Sequence, residues 1–335
     1  MLDVRDTRRR LIELRLPVFA APMFLVSGPE LVIACCRAGI VGSFPSPNVR
    51  TVEELEVWIS QIEDALRQPV AGGHVIAPWA LNLVTHTTNK RLPQDLALVE
   101  RYRPPIVITA LGSPAPAIEV VHSYGGLVFA DVNSLFYARK AAAAGADGLV
   151  LVCAGAGGHT GELCNYVFVE EVRKFYDGYI ALAGGIATGR AVAAARLMGA
   201  DFAYIGTRFI AATESAAEDG YRQMLIDCSA QDLVVSRAFT GARASMLKPS
   251  IVAQGIDLDV VATGTAKLNF TGLEGREVKP WKGIWSAGQG IGAIDVIEPA
   301  AAIVERLARE YDEVVGGRSS CAEKVMEAGN AAVRS

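Results

Sequence analysis

The chain predicts an α/β fold: a (β/α)8 TIM barrel with a lid or substrate domain inserted after strand eight. Three observations carry this expectation. Eight short apolar runs recur along the 335 residues, helical patterns separate them, and one long irregular stretch follows the last run before a final helix. The runs are almost continuously apolar instead of alternating, which marks strands covered on both faces, as in a parallel sheet. Strict alternation of eight strands with helices suits a closed barrel better than an open doubly wound sheet. An open sheet would need its strand order to reverse, and no GxGxxG follows the first run.

The strand candidates, in order, are VFAAPM (18–23), IVGSF (40–44), WALNLV (79–84), IVITAL (106–111), GLVFADV (126–132), GLVLVCA (148–154), YIALAGG (179–185) and FAYIGT (202–207). Their returns are PELVIACCRA, TVEELEVWISQIEDAL, QDLALVERY, SPAPAIEVVHSY, SLFYARKAAAA, YVFVEEVRKFY and GRAVAAARLM. After the eighth run, residues 216–292 begin as a helix in EDGYRQMLIDCSAQDL and then turn rich in Gly, Lys and Thr. Helical periodicity returns in EPAAAIVERLAREYDEVV. The expected division is a barrel of residues 1–215 and 293–335, with 216–292 inserted over its carboxyl-end mouth. The tail GGRSSCAEKVMEAGNAAVRS reads as helical in part, with a frayed end.

Hydrophobic residues make up 51% of the chain, enough for one large core and a smaller appended unit. Lys and Arg total 32 against 36 Asp and Glu, a formal charge of −4. The one basic block, RDTRRR at 5–10, reads as a solvated leader, so the charge footprint of a nucleic-acid binder is missing. Cys35, Cys36, Cys153, Cys164, Cys228 and Cys321 are scattered without metal-ligand spacing, which fits a reducing, cytoplasmic compartment. No apolar signal core opens the chain, and no apolar span is long enough to cross a bilayer.

In such a barrel, functional residues collect where the strands end. Those ends give Ala21, Pro22 and Met23, then Ser43, Asn82, Asp131, the Gly157–Gly158 loop with His159, Ala183 with Gly184 and Gly185, and Gly206 with Thr207. AGGIATG (183–189) and IGTRF (205–209) end strands seven and eight and open onto helices. Glycine there admits close backbone approach, and helix N–H groups point toward an anion. At adjacent strand ends this favours phosphate binding over two tight turns that need glycine for geometry.

His159 stands in LVCAGAGGHTG (151–161), with glycine at positions −2, −1 and +2, so few local side chains can shield it. With an ordinary pKa of about 6.5, it can take or give a proton near neutrality. The alternative is a structural histidine held by a neighbour. His86 reads as a surface-loop residue, and His74 and His122 as solvated. Four scattered histidines with no carboxylate at ligand spacing predict no catalytic metal.

Asn82, inside an apolar strand, needs a partner because an unpaired buried amide is costly. A ligand, a backbone carbonyl or a neighbouring side chain would each serve. Asp131 reads as a ligand contact or as a carboxylate near a helix N-cap. GIWSAGQGIG (283–292) sets Trp285, Ser286 and Gln289 among small residues, as in a Gly-rich lid over a cofactor or an ordinary loop.

Together, APM near residue 21, AGGHTG, LAGGIATG, GADFAYIGTRFIAATES and GIWSAGQG resemble the nitronate monooxygenase family, formerly called 2-nitropropane dioxygenases. Relatives of that family include FMN-dependent enoyl-acyl-carrier-protein reductases. The resemblance implies FMN held non-covalently in the barrel under a lid. Cofactor contacts would fall at Ala21, Pro22, Met23, Ser43, Asn82, Asp131, Gly157, Gly158, Ala183 and Gln289. Gly184, Gly185, Gly206 and Thr207 would hold the phosphate, and His159 would be the active-site histidine.

The reaction implied is oxidation of an alkyl nitronate by O2 to a carbonyl compound and nitrite. Two alternatives stand beside it. One is an FMN-dependent NAD(P)H reductase of an enoyl thioester or quinone; the other is a flavin-free phosphate-binding barrel acting as lyase, isomerase or binding protein. The expected partners are a small-molecule substrate and O2, without nucleic acid or membrane, and apolar positions on the late helices leave a homodimer open. Two positions depart from one branch of the family: Asp131 stands where that branch carries Lys, and Val152 where it carries an acidic or amide residue. A cation near the flavin pyrimidine stabilises the anionic reduced ring; an aspartate does not.

Overall fold

The computed structural model describes residues 4–70, 75–239, 241–263 and 282–316, and among these eight parallel strands close into the expected barrel. In chain order the strands are β1 (Val18–Ala20), β2 (Val41–Pro45), β3 (Trp79–Val84), β4 (Ile106–Ala110), β5 (Leu127–Val132), β6 (Gly148–Val152), a diverted β7 (Gly158–His159), β8 (Tyr179–Ala183) and β9 (Phe202–Ile205). Closure is made by β9 on β1, where Phe19 pairs with Tyr204 and Ala20 with Ile205.

Most strands are shorter than the apolar runs that predict them. APM at 21–23, Cys153-Ala154, Gly184-Gly185 and Gly206-Thr207 lie beyond the strand ends, on the carboxyl-end rim. Gly184 (φ 132°) and Gly185 (φ 70°) adopt backbone that side-chain-bearing residues rarely take, and β8 stops there.

Side chains two apart on a strand share a face. Phe19, Val41, Ala80, Ile108, Phe129, Val150, Ala181 and Phe202 accordingly fill the cylinder. The Phe19 ring lies 5.2 Å from that of Phe129 and 5.1 Å from that of Phe202. Gly148 makes room for this plug, since a Cβ there would come within 2.3 Å of the Phe129 ring. Outward residues Leu81, Leu83, Val107 and Val128 share a second core with Leu55, Ile59 and Ile62 of the helix Val52–Arg67. Both faces of the strands are covered, which is why the runs are continuous.

The basic block at 5–10 is not a free leader. Thr7–Ile12 is a helix with Leu11 buried, and Arg8 pairs with Asp147 at 2.7 Å just before β6. His122 Nε2 lies 2.7 Å from the same carboxylate, so it has a partner where a solvated residue was expected. The open concavity lined by Arg8, Arg139, Asp147, Phe175 and Tyr176 thus sits where β6 and β8 begin, at the end of the barrel opposite the rim.

After β9 the chain forms the helix Asp219–Asp227 and then β10 (Leu233–Ser236) and β11 (Ala244–Leu247), strands that were not anticipated in a Gly-, Lys- and Thr-rich stretch. They pair antiparallel, and β7 adds to β11 as a third strand. The expected loop at Gly158–His159 is therefore a short strand. His74, Cys321 and the tail helix expectation fall outside the described residues. No described helix is long and apolar enough to cross a membrane.

The helix Ala300–Val315 ends the described chain and buries Ile303, Val304 and Leu307 against the barrel wall. Its approach to the helix Gly189–Leu197 is close: a Cβ on Gly189 would lie 2.0 Å from the Leu307 carbonyl oxygen. Gly189→Ala is expected to destabilise the fold by about 1–3 kcal/mol, as overpacking does. A denaturant titration checks this, with a lowered midpoint at unchanged slope as the expected outcome.

Candidate active site

One step further along the strand alternation, the inner face at the rim carries Ala21, Ser43, Asn82, Asp131, Val152, Ala183 and Tyr204. Five of these come from the sequence-predicted set. Tyr204 was missed, because a tyrosine within an apolar run reads as core. Ser43 donates its hydroxyl proton to the Ala20 carbonyl. Asn82 Nδ2 donates to the Ile108 carbonyl at 3.2 Å, so a backbone acceptor on β4 meets the need of its buried amide.

Asp131 does not cap a helix; Ser134 does, accepting from the Tyr137 N–H at 3.4 Å. Asp131 Oδ1 and the Tyr204 hydroxyl are both buried without a hydrogen-bond partner among the described residues. Burial pushes the Asp131 carboxyl up to about 7. Burial and then the nearby Asp131 raise the Tyr204 phenol well above its ordinary value. Asp131 keeps some accessible surface as a residue while Oδ1 is sealed, so the carboxyl sits at the boundary between barrel interior and mouth.

The loop after β1 is shaped by one side chain. Asn48 Oδ1 accepts from the Leu25 N–H at 2.9 Å, and Nδ2 donates to the carbonyls of Met23 at 3.1 Å and Ser27 at 2.7 Å. Ser27 adds a bond from the Met23 N–H at 3.0 Å. Leu25 is held at φ 61°, a left-handed conformation unusual for a leucine. Asn48 escaped the sequence reading because SPN after β2 looks like an ordinary turn.

The glycine loops divide into filled and open. A Cβ on Gly155 would meet Gln289 Oε1 at 2.8 Å, one on Gly157 would meet the Gly288 nitrogen at 2.7 Å, and one on Gly161 would meet the Val152 oxygen at 2.1 Å. Protein backbone, tied by the Gln289 N–H to the Gly155 carbonyl at 2.9 Å, occupies much of that bare platform. Gly158 takes φ 65° within β7. By contrast a Cβ on Gly185 would meet nothing within 4 Å, and one on Gly206 would stand 3.6 Å from Met23 Sδ and 3.7 Å from Ala21 Cβ. The open rim therefore runs past Ala21, Pro22, Met23, Gly185 and Gly206.

The helix N-terminus after β8 faces protein. The Gly189 N–H donates to Glu310 at 2.7 Å, and Thr188 accepts from the Ala191 N–H at 3.1 Å. What AGGIATG leaves open is Gly185; a Cβ on Gly184 would lie 2.9 Å from the Ala154 carbonyl oxygen, and the Gly184 carbonyl is steadied by Asn165 Nδ2 at 2.9 Å. Thr207 Oγ1 accepts from the Gly288 N–H at 2.9 Å. Arg208, next in the same motif, is fully buried and pairs with Glu298, which also binds Arg306 at 3.1 Å.

His159 lies on β7, paired in register with Ala244 of β11. The residue is exposed by area, yet protein crowds the ring, and this burial lowers its pKa from the ordinary value. The imidazole is predominantly neutral at pH 7 and able to accept a proton. His86 stays in its exposed loop, bonded to Thr88 at 2.8 Å. Among the described residues no group of three His, Cys, Asp or Glu side chains converges as a metal site would.

A rim of open backbone with one imidazole suits an enzyme whose redox chemistry belongs to a bound flat cofactor, with the protein positioning it. The class is a flavin-dependent oxidoreductase on a TIM barrel. The chain belongs to the nitronate monooxygenase family, whose model matches residues 6–310. A nitronate monooxygenase of Paraburkholderia phytofirmans is 29% identical over 277 residues, covering 72% of this chain and 76% of that one. An octahydroindene-carboxyl-CoA dehydrogenase of Rhodococcus jostii is 27% identical, over 75% of this chain and 68% of its own. The solved structure of FabK from Thermotoga maritima superposes with a TM-score of 0.73 at 27% identity, over 94% of this chain and 98% of that one.

Asn48→Ala removes the three hydrogen bonds that its side chain gives the Met23–Ser27 turn. A loss of about 2 kcal/mol is expected, seen as a lower thermal midpoint and faster proteolytic cleavage near Leu25.

Proposed function

We propose that the chain binds FMN on the open rim and oxidises alkyl nitronates with O2 to a carbonyl compound and nitrite. The observation that carries this reading is the open backbone at Gly185, where an added Cβ would meet nothing within 4 Å, next to Gly206 at the adjacent strand end, where one would find only ordinary contact with Met23 and Ala21. The two orphaned oxygens of Asp131 and Tyr204 fit a ring with polar edges in the mouth. When bound, FMN supplies electron transfer between the substrate and O2.

The chain's own residues do the rest. Ala21, Pro22 and Met23 line one side of the opening in the turn that Asn48 holds. The Gly184–Gly185 and Gly206–Thr207 backbones hold the phosphate. Residues 1–215 and 293–335 act as the cofactor barrel, while 216–292, joined to the rim through β11 and β7, act as a lid that restricts water. His159 accepts the acidic α-proton of a neutral nitroalkane at its unprotonated ring nitrogen, or holds the nitronate by donating a hydrogen bond.

One observation favours a second reading, an NAD(P)H-dependent reductase of an enoyl thioester or quinone. The relative from Rhodococcus is named for an acyl-CoA substrate, and the loops after β1 and β4 expose Phe24, Leu25 and Leu111. Anaerobic mixing separates the two. Nitronate bleaches the flavin under the first reading, and NADH or NADPH alone bleaches it rapidly under the second.

Purified protein is expected to show flavin absorbance, and a colourless protein that cannot be reconstituted with FMN would refute the cofactor assignment. His159→Asn should keep the flavin and lose about 10²–10⁴-fold in rate on neutral nitroalkane; a wild-type rate sinks the base role. Because the neutral imidazole is the active form and burial lowers its pKa, the wild-type rate should rise with pH through a midpoint below 6.5.

A further inference from the structure

Two unsatisfied oxygens share one barrel interior. Asp131 is the last inward residue of β5 and Tyr204 the last of β9, directly above the Phe129 and Phe202 plug. Asp131 Oδ1 and the Tyr204 hydroxyl have no hydrogen-bond partner among the described residues, and Tyr204 is 8% exposed. Buried polar atoms are rarely left so, and unpartnered ones point to a ligand or a functional role. The two groups sense each other, since Asp131 contributes to the raised phenol of Tyr204.

The surroundings decide the charge. On the neighbouring strands the inward residues are Ile108 on β4, and Val150 and Val152 on β6; none ionises. Among the described residues no cation offsets the burial of Asp131, whose displacement has burial as its cause. His159, on β7, has its pKa lowered by burial, without Asp131 among the causes, so the two do not act as an ion pair.

We propose that the Asp131 carboxyl and the Tyr204 hydroxyl form an uncharged pair of hydrogen-bond donors that meets the carbonyl-bearing edge of the bound flavin from inside the barrel. This rests on the cofactor reading given above. A carboxylic acid and a phenol can each donate to a carbonyl oxygen. Ionised, Asp131 becomes acceptor-only and repels the same oxygen. Flavin affinity is therefore tied to the proton on Asp131, which is held below about pH 7 and lost above it.

The test compares FMN affinity of the reconstituted wild type with that of Asp131→Asn, an uncharged side chain of the same shape that still donates. Their ratio cancels the titration of the FMN phosphate, which both proteins share. The variant and wild type should bind about equally at pH 6. At pH 8 the variant should bind about tenfold more tightly, since a carboxyl titrating near 7 is about nine-tenths ionised there. Tyr204→Phe should bind a few-fold more weakly at pH 6.

A ratio that does not change with pH, or one that moves in favour of the wild type, overturns the uncharged pair; parity of Tyr204→Phe with wild type removes the tyrosine from it. A measurement without variants is the absorbance of wild-type-bound flavin between pH 6 and pH 8.5. A shift with a midpoint near or above 7 supports the pair, and an unchanging spectrum overturns it. Wild type that binds no FMN at any pH sinks the cofactor reading, and the pair with it. Binding with a flat ratio sinks the pair alone.

Discussion

The site depends on how a closed cylinder of eight strands can be filled. Alternation fixes which residues point inward, and closure of β9 on β1 leaves no edge through which a misplaced side chain could escape. Phe19, Phe129 and Phe202 take the middle of the cylinder. Polar groups can then be tolerated in one place, the layer above the aromatics where the mouth supplies partners. Ser43, Asn82, Asp131 and Tyr204 all fall in that layer. Two of them find acceptors on neighbouring strands, and two keep a buried oxygen without one.

Strand positions and barrel class were legible because burial on both faces leaves a plain mark, a run of apolar residues. Strand ends were not, since the apolar character of YIALAGG continues past the point where Gly184 turns the backbone out of the sheet. The Asp219–Leu247 region showed its helix and hid its strands, because β10 and β11 are four residues each and carry no long periodic signal. The Thr7–Ile12 helix was misread for a related reason: its basic face dominates the sequence, and of its two buried residues, Thr7 and Leu11, one alone is apolar.

At the candidate site, the loop positions could be read from glycines, but not what those glycines admit. The vacancies at Gly155, Gly157 and Gly161 are taken by Gln289, Gly288 and Val152. The vacancy at Gly185 stays open. Sequence treats all four alike, since the distinction depends on segments more than a hundred residues apart for the first two. Asn48 and Tyr204 were invisible for the converse reason: their importance lies in the groups they satisfy or fail to satisfy, and neither sits in a distinctive motif. Arg208 resolves a third ambiguity, because the charged residue of GTRF belongs to an ion network with Glu298 and Arg306 that ties the rim to the closing helix.

The diversion of β7 has a consequence for how such chains can change over time. His159 stands opposite Ala244 in the β7–β11 register, so its backbone belongs to the appended sheet as much as to the barrel. A transplant of that sheet from a cousin would drag the histidine with it, and graft boundaries placed at its two chain ends would sever the ladder. Diversification of the mouth is thereby confined to exchanges that move the 155–161 turn and its distant strand as one heritable unit.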